Sequence, residues 1–174
     1  VAEGNGTDGI VVGGDQNTLT DNLVAENGEA GLRLSTRSTG AYNTTAVNND
    51  GPGILLHGAE TSGVLYSTVS GNGIGVYFYH FARDNTLNAN WVSDNDYGIY
   101  FHYQADQNRV LNNTVCLSSV RGLSLYGYSD ENKIWLNDFK SNVRQVGGYG
   151  SRNYLSDVSS GSFWDHLGPR TGHY

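Results

Sequence analysis

The sequence predicts an all-β, single-domain solenoid: a parallel β-helix of about seven coils, with about 23 residues in each. Three observations predict it. A Gly-apolar-x-apolar motif returns at Gly9, Gly31, Gly53, Gly75, Gly98 and Gly122, in steps of 22, 22, 22, 23 and 24 residues. Columns of Asn, Thr and Ser repeat in the same phase. Within each copy apolar residues alternate with variable ones, which is the period of a strand with one buried face.

The first element of each coil is the strand that opens at the glycine. Its inward positions are apolar, as in Gly98-Ile-Tyr-Phe-His102 and Gly75-Val-Tyr-Phe-Tyr79. A variable turn leads to the polar column Asn17, Thr39, Ser62, Asn85, Asn108, Asn132 and Asn153. Next comes an apolar column, Leu19, Ala41, Val64, Leu87, Val110 and Ile134. The second polar column is Asn22, Thr44, Ser67, Asn90, Asn113 and Asn137. A second apolar column follows at Val24, Ala46, Val69, Val92, Val115 and Phe139, and a third polar one at Asn5, Asn27, Asn49, Asn72, Asn95, Ser118 and Asn142.

Three short strands per period, divided by polar corners, exclude a helical repeat, which needs apolar residues at i, i+3, i+4 and i+7 over ten or more positions. A four-stranded propeller blade needs about 40 residues. The chain must therefore coil above itself, each strand pairing in parallel with its copy at a spacing of roughly 4.8 Å. Asn suits the corners because its amide bonds both to turn backbone and to the Asn of the next coil. Repeats are expected over residues 1–158. The last stretch, 159–174, loses the period and gathers Phe163, Trp164, Pro169 and Tyr174, so it is expected to form an irregular cap.

Composition agrees with a thin core: hydrophobic residues make up 37%, against 24 Gly and 19 Asn. A net charge of −7 with two Lys argues against a nucleic-acid partner. No apolar run approaches 18 residues, so no transmembrane helix is expected. The single Cys116 offers no internal disulfide and assigns no compartment. Asn5, Asn43 and Asn112 begin glycosylation sequons, which an Asn- and Thr-rich chain also produces by chance. Without a Met, the chain is expected to be processed or to be part of a longer product. Its first residues hold a ladder position but no helix to cover the first coil. The first coil is therefore expected to present an open strand edge, on which copies of the chain could stack head to tail.

Residues Asn132–Val146 and Asn153–Asp157 resemble the terminal coils of archaeal surface proteins. Over residues 5–157 the chain is similar to the NosD-like branch of right-handed parallel β-helix proteins, the carbohydrate-binding and sugar-hydrolase repeats. The resemblance implies a right-handed coil and an extracellular or cell-surface location. It does not choose among the group's surface-layer modules, copper-enzyme maturation factor, epimerases and lyases.

Candidate site residues lie on the outward positions of the opening strand. They read Val11, Arg33, Leu55, Tyr77, Tyr100, Ser124 in one column and Gly13, Ser35, His57, Tyr79, His102, Tyr126 in the next. With Tyr103 and Tyr128 they form an aromatic face suited to stacking on sugar or on a partner; the plainer alternative is rings stabilising neighbouring coils. His80 is a further candidate for that face, although its shift by one position is expected to point it away from the His57–His102 column.

The variable turns carry Asp15, Glu60, Asp84, Asp106 and Asp130 with Glu131. Asp106 and Asp130 should be stacked neighbours, either solvated, relieved by Arg83, or bridged by Ca²⁺. Enzymes of this fold need converging carboxylates with a base, or paired acids at glycosidase spacing. Asp94 and Asp96 have no acidic equivalents in adjacent coils, and Trp164-Asp165-His166 lies in the tail. His57 and His102 are two coils apart, about 10 Å, too far to share a copper ion.

These features favour a non-enzymatic module with a structural or adhesive role, self-assembling or glycan-binding. The alternative is a lyase, epimerase or hydrolase working on polysaccharide along the same face.

Overall fold

The computed structural model describes residues 1–156 and the strand Phe163–Trp164. Its strands form three parallel sheets, with every neighbour one coil away in sequence. The first sheet has seven strands: Ile10–Val12, Leu32–Leu34, Pro52–His57, Ile74–Tyr79, Tyr97–His102, Arg121–Leu125 and Val146–Gly148. The second sheet, also of seven, runs from Thr18–Thr20 to Tyr154–Leu155. The third has eight, from Ala2–Glu3 to Phe163–Trp164. Among the described residues no helix is long and apolar enough to cross a membrane.

The repeat columns are the pairing registers. Val11, Arg33, Leu55, Tyr77, Tyr100, Ser124 and Gly147 stand above one another, as do His57, Tyr79 and His102. Inward residues of all three sheets meet in one core one side chain deep. Leu32, Ile54, Val76, Ile99 and Leu123 are fully buried, and so are Val64, Leu87, Val110, Val69, Val92 and Val115. Phe78 and Phe101 stack inside at 4.4 Å with their planes 5° apart. Such a core gains stability coil by coil rather than from one wide interior.

The polar columns are hydrogen-bonded ladders. Asn90 Nδ2 donates to Asn113 Oδ1 at 2.9 Å, and Asn113 Nδ2 donates to Asn137 Oδ1 at 2.9 Å. Asn85, Asn108, Asn132 and Asn153 make the same chain at 3.0 Å per step. Each amide also donates to a carbonyl of an adjacent coil, as Asn113 does to Leu87 O at 3.0 Å. The ladders weaken where Thr or Ser replaces Asn. Asn17 receives only a backbone bond from its column, its N–H donating to Thr39 Oγ1. Asn22 turns its amide back to Thr20 O, and the Thr44 hydroxyl beside it has no partner.

The repeating glycine is required by the third ladder. A Cβ on Gly75 would lie 2.5 Å from Gly98 O and 2.9 Å from Asn95 Nδ2, so backbone and amide leave no room for one. Strands of the middle coils begin one residue before this glycine, at Pro52, Ile74 and Tyr97, which extends the first sheet beyond the expected start. At the other end, Phe163–Trp164 lies within the stretch expected to be a cap and pairs in parallel with Asp138–Phe139. The remaining cap positions, and the boundary at 158, lie outside the described residues.

Candidate functional site

The outer face of the first sheet carries a continuous run of rings. Stacking in register places Tyr77 on Tyr100 at 5.3 Å, and Tyr97 and His102 pack on Tyr100 at 5.2 and 5.7 Å. Tyr126 meets Tyr100 edge-on at 5.8 Å and Tyr149 at 5.5 Å. On the other side Tyr79 contacts Tyr77 at 5.0 Å and His57 at 5.5 Å. The run therefore crosses five coils, roughly 19 Å at the spacing of paired strands.

Left-handed backbone at the strand ends shapes its margin. His80 and Phe81 have φ of 53° and 65°, and Tyr103 and Gln104 have 58° and 56°. These turns fold His80 back over the face, where its ring stacks on His57 at 5.3 Å and 13°. Of the two expectations for His80, membership of the face holds and pointing away from the His57 column is corrected, since alternation stops applying once the strand ends. Tyr103 likewise packs on Tyr79 and His102, at 5.8 and 5.0 Å. Tyr128 shares the left-handed turn but is 83% exposed, and no ring contact to it is found among the described residues.

Three rings of the cluster were not singled out from the sequence, and one of them, Phe81, meets His80 edge-on at 4.9 Å. Tyr97 precedes its glycine, and Tyr149 follows the last strand of the sheet. Two outward residues are also buried rather than open. Leu55 is covered by its neighbours and Ser124 is fully enclosed beside Tyr100 in register.

Burial favours the neutral forms of Tyr77, Tyr100 and His57. Burial raises the Tyr77 phenol far above its ordinary value, helped by Tyr100 and Tyr79. Burial also raises Tyr100, with Tyr97 and Tyr126 adding and Arg121 opposing. His57 is lowered, first by desolvation and then by His80 and Arg33. Tyr77 Oη and His102 Nδ1 are 3.2 Å apart, a hydrogen bond that suits a phenol keeping its proton.

The acidic turns form a different arrangement from a free carboxylate pair. Asp106 Oδ1 accepts the Asp130 backbone N–H at 2.8 Å, and Asp130 Oδ1 accepts that of Ser151 at 2.8 Å. Asp15 accepts the Arg37 N–H in the same way. These carboxylates continue the ladder logic outside the core. Burial raises Asp106, the Asp130 amide opposes that, and the Asp130 charge adds to it. Arg83 does not relieve this pair; it reaches Glu60 at 3.0 Å, and Arg152 serves Asp130 at 3.5 Å instead. No group of three or more metal-ligating side chains occurs among the described residues.

Comparisons with known proteins bear on the fold. No curated protein matches the sequence. Among solved structures the chain is similar to the A-module of the mannuronan C-5 epimerase AlgE6 of Azotobacter vinelandii, with a TM-score of 0.59 at 16% identity. The match covers 90% of this chain and 56% of that one, so the chain spans little more than half of the module. At that identity the likeness speaks for the coil and not for its chemistry. Residues 2–139 match the family described as the right-handed β-helix region. With the pattern matched over most of its length and its strands in three parallel sheets, the chain belongs to the right-handed β-helix family.

Proposed function

We propose that this chain is a non-enzymatic, extracellular or cell-surface module that binds polysaccharide along the outer face of its first sheet. One observation carries the reading: the unbroken run of rings from His57 to Tyr149 on a rigid parallel sheet. Sugar rings present apolar C–H faces, and rings already fixed by stacking on one another offer them an apolar surface at low entropic cost. The resemblance of Asn132–Val146 to archaeal surface-protein coils supports the location. The test is titration with soluble polysaccharides, read by intrinsic fluorescence. Replacing Tyr77 and Tyr100 together by Ala should weaken binding at least about tenfold, as for anchors worth more than about 1 kcal/mol each. Unchanged affinity in the double variant would leave the rings as coil stacking only.

A second reading, a polysaccharide-active enzyme, is favoured by the Tyr77–His102 hydrogen bond and by the epimerase module that shares the fold. Abstracting a sugar ring proton requires a base. A Tyr77 phenol held this strongly in its protonated form is a poor one and serves better as a donor. Appearance of unsaturated chain ends or inverted sugars on incubation with polysaccharide would establish the enzyme instead.

A further inference from the structure

We propose that Arg121 forms a carboxylate-selecting subsite on the aromatic face, so that the polysaccharide taken there is an acidic one built from uronate residues. The inference rests on the polysaccharide-binding reading above. Arg121 opens its strand and pairs in register with Tyr97 of the coil before. Its Nη1 donates to Tyr126 Oη at 2.6 Å, and its Cζ lies 5.7 Å from the centre of the Tyr126 ring. The guanidinium lies over Gly147 of the following coil, where a Cβ would come within 2.7 Å of Cζ and Nε. Glycine at this outward position makes the resting place for the flat cation. The group is thus fixed among the rings rather than waving in solvent.

What distinguishes this cation is a fixed place among rings combined with the lack of a counter-ion, in an acidic chain of net charge −7. Arg33 pairs with Asp8, Arg37 and Arg83 with Glu60, Lys140 with Asp138, and Arg152 with Asp130. Arg121 takes no ion pair among the described residues, and its buried Nε has no acceptor. Arg109, Lys133 and Arg144 share the lack of an ion pair, but they are exposed and have no ring contact among the described residues. A planar carboxylate offers two acceptor oxygens spaced to fit two N–H groups of one guanidinium. Flanking rings hold the sugar that carries it.

Oligogalacturonate, its methyl ester, a sulfated galactan and a neutral gluco-oligosaccharide separate the possibilities by titration calorimetry. The wild type should bind the acid at least about tenfold more tightly than the ester, the difference a charge-assisted hydrogen bond makes. Arg121→Gln should bring the acid down to the level of the ester, so that the acid-to-ester ratio falls to about one. Gly147→Val, which crowds the guanidinium off its seat while keeping the charge, should reduce the same preference. Equal wild-type affinity for acid and ester overturns the subsite and leaves polysaccharide binding standing. A preference that survives in Arg121→Gln also overturns it. Tightest binding of the sulfated chain overturns the choice of carboxylate, and no binding of any probe removes the proposed function as well. The acid-to-ester ratio needs no variant, so a misfolded variant does not spoil the test.

Discussion

Corner residues bear much of the conformational cost of this chain. Each ladder position is preceded by a residue in left-handed backbone: Asn112, with φ of 56°, before Asn113; Ala89, with 57°, before Asn90; and Leu136, with 56°, before Asn137. Only some are Asn or Asp, the types that tolerate that region best. The geometry is imposed by the coil, and the ladder amide beyond each turn offsets it. At the face itself, His57 links packing to pH. Its folded value lies below that of a free imidazole, mainly through desolvation. The unfolded chain therefore binds the proton more readily, and the stabilising effect is complete above about pH 6.5. It is lost as pH falls from there through the folded value. Urea melts across that window should show stability declining towards acid, with a shallower slope in His57→Gln. An identical slope in the variant would place the titrating group elsewhere.

At the scale of strands and ladders, the repeat makes an inside and an outside that single substitutions can compare. Asn113 is buried, has three acceptors within hydrogen-bond reach of its Nδ2, and accepts from Asn90. Arg109, on the second sheet, points outward and is exposed. Asn113→Leu should cost about 1–3 kcal/mol or more by stranding these partners, while Arg109→Ala should stay within about 0.5 kcal/mol. Chemical denaturation measures both, and equal losses would mean that the ladder carries no net stability. These columns were legible because side-chain identity at a corner follows from one recurring geometry: an amide must reach the amide above. The path of His80 was not, because a left-handed residue at a strand end breaks the alternation from which direction is inferred. The seat of Arg121 was not either. It depends on Gly147, the residue one coil above Ser124, and a missing side chain leaves no signal in its own coil. Tyr97 could have been found, since strand pairing sets it directly under Arg121 and its ring packs on Tyr100.

The molecule as a whole is a stack in which each coil touches only its neighbours, so whole coils should be removable in phase. Deleting residues 76–98 joins Gly75 to Ile99, and the register that pairs Val76 with Ile99 closes without a shift. The ladders rejoin as Ser62 to Asn108, Ser67 to Asn113 and Asn72 to Ser118. Deleting residues 32–53 joins Gly31 to Ile54 in the same way, through the register of Leu32 with Ile54. Both shortened chains lose one set of coil contacts, so they should keep a β-type circular dichroism spectrum and unfold at somewhat lower urea concentration. Their binding should differ. The first deletion takes Tyr77, Tyr79, His80 and Tyr97 out of the middle of the ring platform, while the second leaves every ring from His57 to Tyr149 in place. Polysaccharide affinity should therefore fall steeply in the first and hold in the second. Equal affinity in two folded deletions would show that binding does not use the face of the first sheet. Collapse of both would show that the coils are not the independent units their registers imply.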